Sequence, residues 1–104
     1  MPDIIPPPFI NIGGKRIPVK IKKEMPGSLG EYDSELRCIN LVEGTLKDRQ
    51  LFRDTLVHEA LHCALDLAGI SFNTSGVLSE KIEEQVVTAI ETLAAPAIIR
   101  VWRI

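Results

Sequence analysis

From Thr45 to Gly69 the chain runs without an intervening glycine or proline. Helix interiors tolerate neither residue well, so so long an uninterrupted run reads as one long α-helix. In a chain of 104 residues every other element must be arranged around it. Thr45 is placed to act as N-cap, with Lys47 and Asp48 following before the apolar run, and Gly69 is placed to close the helix as C′. Leu46, Phe52, Leu56, Val57, Ala60, Leu61, Ala64, Leu65 and Ala68 spread over most of the circumference of its second half. A helix apolar nearly all round belongs at the centre of its domain.

The same helix carries His58-Glu59-Ala60-Leu61-His62, and these are the only two histidines of the protein. Residues four apart lie one above the other on a helix face, so the two imidazoles can grip one metal ion. Zn²⁺ favours such nitrogen ligands. Glu59 points about 100° away and cannot be a third ligand from that face. It can still reach a water held by the metal. This is the arrangement for metal-assisted hydrolysis, with a metal-activated water and a carboxylate as proton shuttle.

A catalytic zinc usually has three protein ligands and an open position. No third histidine exists, so a carboxylate or thiolate must supply the remaining ligand. The metzincin extension is excluded by residue identity, because Ala68 stands six residues past His62 and Leu65 stands at the glycine position. Cys63 points about 100° from His62 and reads as a small buried thiol. From Ser79 the chain reads SEKIEEQVVTAIETLAAP, a second helix in which Val86, Val87, Ile90, Leu93 and Ala94 form one apolar stripe. Relative to that stripe Glu83 lies about 20° from the centre, Glu80 about 80° and Glu84 about 120°. Glu83 therefore faces the core squarely, and a zinc held by His58 and His62 would offset its desolvation. Glu80 and Glu84 read as solvated first-turn acids favoured by the helix dipole.

HEALH followed by Glu83 on the next helix, with twenty residues between His62 and Glu83, resembles a Glu-ligated zincin. Glu83-Glu84-Gln85-Val86-Val87 leading to Leu93-Ala94-Ala95-Pro96 is similar to the second-helix signature of the ImmA/IrrE-like metallopeptidases. Val86-Val87 stands where that signature has Ala-Asn. The chain also resembles small stand-alone zincin-type peptidases often encoded by phages and prophages. The resemblance implies zinc ligands at His58, His62 and Glu83, a general base at Glu59, and peptide or protein as substrate.

The remaining sequence bounds the setting. At this length a single domain spanning residues 1–104 is expected. The net charge of −2 gives no electrostatic case for nucleic acid or an anionic membrane. No apolar run approaches membrane-spanning length. The proline-rich N-terminus with Asp3 lacks the features of a signal peptide, so a cytoplasmic location is the default expectation. Cys38 and Cys63 are then expected as free thiols. Residues 1–14, with Pro2, Pro6, Pro7 and Pro8, read as an extended segment. Ile17, Val19 and Ile21 alternate with Pro18, Lys20 and Lys22 as a half-buried strand, with Pro18 at an edge or facing outward. Pro26-Gly27 and Gly30 mark a turn, Glu31 and Tyr32 a short second strand, and Arg37 to Val42 a third. Ala97 to Ile104 fits either a short helix or a terminal strand. The expected fold is α+β: a small three-stranded sheet packed on a central HExxH helix and a second helix.

The expected reaction is zinc-dependent hydrolysis of a peptide bond, with Glu59 taking the proton of water and delivering it to the leaving amine. An extended peptide can pair with an exposed strand edge, and Arg37 to Val42 is the natural candidate. Tyr32, Arg100 and Arg103 are candidate donors to the developing oxyanion, against a reading in which they simply pack or are solvated. Asp66 lies one turn beyond His62 and is a candidate partner for a metal-bound histidine. The competing function is a non-catalytic zinc-binding domain or degenerate zincin used for interaction. The oligomeric state is not legible.

Overall fold

The computed structural model describes residues 3–104, so Met1 and Pro2 of the expected extended segment lie outside it. The fold is α+β, with a mixed sheet of four strands rather than the expected three. The additional strand is β1 (Phe9–Ile12), which lies within the segment read as merely extended. It pairs antiparallel with β2 (Lys15–Lys22) across Gly13-Gly14. Both glycines have positive φ, 58° and 79°, as a two-residue hairpin turn of this kind requires. β3 (Gly30–Asp33) and β4 (Cys38–Val42) complete the sheet in the order β1-β2-β4-β3, with β2 and β4 parallel.

One expectation about edges is corrected, that for β4. β2 is an interior strand, and its Pro18 is exposed, the outward-facing alternative. The pairing explains this: Pro18 lies opposite Phe9 on β1, and pairing with β4 begins only at Val19. The missing N–H therefore falls where one partner strand gives way to the other. β4 is also interior and is buried from Cys38 through Leu41. The exposed edge beside the long helix is β3. Arg37, expected within a strand, stands in the preceding turn with φ of 50°.

Ile17 and Val19 of β2 and Ile39 and Leu41 of β4 form the core with Phe52 and Cys63. The last two belong to α1 (Arg49–Leu67), which buries Phe52, Glu59, Cys63 and Asp66 along one helical face. The rest of α1 is half-buried or exposed, so the helix lies on the sheet and is not wrapped on all sides. A chain this short has too few elements to enclose a helix of this length. Its N-cap is Asp48, which accepts the Leu51 N–H at 3.1 Å. Thr45 instead stands in a 3₁₀ turn (Glu43–Lys47) and donates its hydroxyl to the Val42 carbonyl at 2.7 Å. Gly69 ends the helix as expected, with φ of 79°. The Gly69 N–H bonds to the Asp66 carbonyl and the Ile70 N–H to the Leu65 carbonyl, a Schellman closure.

A continuous second helix runs from Glu80 to Trp102. It comprises α2 (Glu80–Ala89), capped by Ser79, then a π-helical turn (Ile90–Ala94), then α3 (Ala95–Trp102). The Ala95 N–H reaches back to the Ile90 carbonyl, and this widened turn comes immediately before Pro96. A proline cannot donate to the carbonyl four residues back and collides with it, so widening lets the helix continue. By length and composition alone, this helix could cross a membrane. Against the expectation that no apolar run approaches that length, this stretch reaches it on average. Glu91 interrupts this one, and it is bound to His58 on α1.

Candidate metal centre

His58 and His62 lie one turn apart on α1, with ring centroids separated by 5.1 Å. Their Nε2 atoms meet one carboxylate oxygen, Glu84 Oε1, at 3.1 Å and 2.5 Å. His58, His62 and Glu84 each offer one ligand atom within 4.8 Å of the others, a group able to hold a metal ion. Two imidazoles and a carboxylate are the donor set of a transition-metal site such as zinc. Donors around a tetrahedral ion with bonds of about 2.0–2.1 Å stand about 3.3 Å apart, so the set is slightly tight for one. The Glu84 side chain is half exposed and free to swing outward by the small amount needed.

The other ring nitrogens are held from behind. His58 Nδ1 meets Glu91 Oε1 at 2.8 Å, and His62 Nδ1 meets Glu83 Oε2 at 2.7 Å. Each carboxylate accepts an Nδ1–H, which selects the tautomer whose Nε2 lone pair points to the shared position. Glu83 is fully buried, and its second oxygen accepts the Phe72 N–H at 3.0 Å. Glu83, expected as the third ligand, stands outside the group whose donor atoms converge. It faces the core, but its oxygens are occupied by His62 and Phe72, and Glu84 takes the position beside both Nε2 atoms. The periodicity argument found the inward-facing acid. The acid that meets both Nε2 atoms is a rim residue.

Charges in this cluster are strongly interdependent. Burial works to lower the pKa of His58, but the hydrogen bond to Glu91 and the negative charges of Glu59 and Glu84 outweigh it and hold it above the ordinary value. Burial pushes the Glu59 carboxyl up, against the opposing pull of His58, His62 and the Tyr32 backbone N–H. Glu84 is held low despite partial burial, through its hydrogen bonds and attraction to the histidines. Glu59 is 8 % exposed and opens into a cavity of about 350 Å³ shared with His58, His62, Glu84 and Tyr32. A mostly buried carboxyl of raised pKa at such a wall is suited to moving protons.

Tyr32 on β3 lines this cavity, but its hydroxyl donates to Asp66 Oδ2 at 2.5 Å. Asp66 also accepts from the Thr74 hydroxyl. Asp66 therefore holds Tyr32 and the 71–76 loop, and the expected role of histidine partner falls to Glu83 and Glu91 instead. Burial and the Asp66 hydrogen bond push the Tyr32 hydroxyl well above the ordinary tyrosine range. Arg100 and Arg103 line a different groove and are not brought to the histidines. Cys63 is buried with its thiol pushed up by burial, apart from the ligand group.

Two residues of the cluster were not legible as participants. Glu84 reads as a solvated acid from its own helix, and Glu91 lies well beyond the first turn. A signal did exist: they are seven residues apart, two turns, and so share a face. Compared with known protein families, with curated proteins and with solved structures, the chain has no match.

Proposed function

We propose that this protein is a zincin-like metallopeptidase that hydrolyses peptide bonds, with His58, His62 and Glu84 as ligands to Zn²⁺ and Glu59 as general base. The observation that carries the reading is the meeting of two Nε2 atoms and the Glu84 carboxylate in one cavity walled by Glu59. The group has three protein donors among the described residues, which suits a site with a position open to water.

When bound, the ion acidifies a water and polarises a carbonyl. Glu59 accepts the proton of the attacking water and returns it to the leaving amine, and the burial that raises its pKa makes the return easier. Glu83 and Glu91 hold the imidazoles in position. β3, the sheet edge beside the cavity, offers backbone groups to an extended substrate. Gly30, Glu31 and Tyr32 on it line the same cavity as the histidines.

The deciding experiment is Glu59→Gln, which preserves size and removes the base. The variant should keep its zinc and lose about 10²–10⁴-fold in peptide hydrolysis. Zinc binding with no hydrolysis by the unaltered protein across a broad peptide library would favour the competing reading, a non-catalytic zinc-binding module.

A further inference from the structure

A second cavity lies away from the histidines. It is a groove of about 420 Å³ between α1 and the distal part of the second helix. Its floor is apolar, from Val57 on α1 and Ala95, Pro96 and Ile99 on α3. Its rim is cationic, from Arg53, Arg100 and Arg103. The volume is that of a small-ligand site. An intermediate cavity links it to the histidines: Asp54 and Glu91 wall both this groove and that cavity, which is also lined by His58 and Glu59.

The charges of the groove do not cancel internally. Of its two acids, Glu91 is engaged by His58 at 2.8 Å, and Asp54 lies 4.0 Å from Arg53. Among the described residues Arg100 and Arg103 have no carboxylate within 4.0 Å. They are three residues apart and so are neighbours on one helix face. Two guanidiniums at the end of an apolar trough match a ligand with an apolar body and a carboxylate attached to it. A guanidinium binds such a group in a fork of two hydrogen bonds. An acidic side chain supplies the charge but leaves the apolar floor unused. A C-terminal residue with an apolar side chain supplies both from one Cα.

We infer that this groove is a substrate subsite that captures the free C-terminal carboxylate of a peptide ending in an apolar residue. The inference rests on the peptidase reading for its place in catalysis. It makes the substrate an unstructured C-terminal tail and the product a short C-terminal fragment, because one intermediate cavity joins the groove to His58 and Glu59.

The test uses the Glu59→Gln protein and calorimetric titration with an N-acetylated pentapeptide ending in leucine. The free acid, the C-terminal amide, and an amide with an internal glutamate are compared. The acid should bind at least about tenfold more tightly than either amide, as expected for losing charged hydrogen bonds. Arg100→Gln combined with Arg103→Gln should abolish that preference without changing the circular dichroism, since both side chains are exposed. The preference should survive chelation of the metal, because the arginines are not in the ligand group. Equal binding of acid and amide, equal binding of the internal-glutamate peptide, no binding of any, or a preference that persists in the double variant each overturns the inference. Absence of hydrolysis by the unaltered protein, with the acid preference intact, removes the peptidase reading and leaves the carboxylate site standing.

Discussion

At the scale of single residues, adjacent acids have opposite jobs. Glu83 is buried and bound to His62 and Phe72, whereas Glu84 is exposed and meets both Nε2 atoms. Glu84→Gln should therefore weaken zinc binding strongly and leave the chelated protein's melting temperature nearly unchanged. Glu83→Ala should do both kinds of damage. It removes the support of His62, which typically costs 10–100-fold in metal affinity. It also leaves a buried N–H unpartnered, which costs about 1–3 kcal/mol of stability. Zinc titration and thermal melts in chelator separate the two patterns, and matching behaviour of the two variants would contradict the assignment. The same cluster sets a pH dependence. In the chelated protein His58 has a folded pKa above its ordinary 6.5. Its contribution to stability is full below 6.5 and fades as pH rises through the folded value. Glu84, held below its ordinary 4.5, contributes above 4.5 and loses that as pH falls through its own folded value. Glu59, raised above 4.5, contributes in the same sense as His58 but below that value. His58 and Glu84 together favour the fold most between about pH 4.5 and 6.5, Glu59 opposes them above 4.5, and melts of the chelated protein should decline from pH 6.5 toward 8.5. Zinc affinity should run the other way and rise with pH, because the ion competes with protons for the histidines. A chelated protein that gains stability from pH 6.5 to 8.5 would contradict the His58 network.

At the scale of elements, legibility followed how local each determinant is. The long helix, its HExxH face and the Gly69 stop depend on neighbours within a turn or two, and they are where the residues placed them. The start of that helix was misplaced by three residues because Thr45 and Asp48 are both good caps, and only the 3₁₀ turn decides between them. β1 was missed although Gly13-Gly14 between two runs containing isoleucines is a hairpin signal, because four nearby prolines dominate the composition of the segment. Which strand is the edge was not legible at all. β2 pairs with β4 across the intervening β3, and no local pattern specifies such a crossover. The place of Glu84 was missed for the same reason: the relation of Glu84 and Glu91 to the histidines depends on how two helices meet. β3 itself is tightly seated. A Cβ at Gly30 would lie 2.8 Å from Thr55 Cγ2 and 2.9 Å from Leu41 Cδ2. Gly30→Ala should thus push the edge strand away from α1 and cost about 1–3 kcal/mol, the range for overpacking. Because Gly30 also lines the metal cavity, peptide hydrolysis should fall with zinc affinity preserved. Unchanged stability and activity together would show that β3 does not bear on the cleft.

At the scale of the whole molecule, the core and the candidate site hold different parts together. Sheet and α1 share the apolar core, in which Ile17, Ile39, Leu41 and Cys63 are essentially buried. The second helix adds only Glu83 and Val87 as buried residues, while Leu93, Ile98, Val101 and Trp102 stand exposed on its outer part. Its attachment to α1 is largely polar, through Glu83, Glu84 and Glu91 on the two histidines. An ion shared by His58, His62 and Glu84 would then be a cross-link between α1 and this helix. Any ligand that binds only the folded state stabilises it, by about 2.7 kcal/mol at a hundredfold excess over Kd. For a domain of this size that corresponds to a rise of roughly 10–20 °C in Tm. The gain should be unevenly distributed. Hydrogen exchange should slow on zinc addition in residues 80–102 and along the exposed side of α1, and change little in β2 and β4, whose bonds open only with global unfolding. Glu59→Gln should show the same stabilisation as the unaltered protein, because Glu59 is not a ligand. His62→Ala should show almost none. Uniform protection across the sheet, or an equal rise in Tm for His62→Ala, would mean that zinc binds elsewhere and that the second helix is held by contacts other than the cluster.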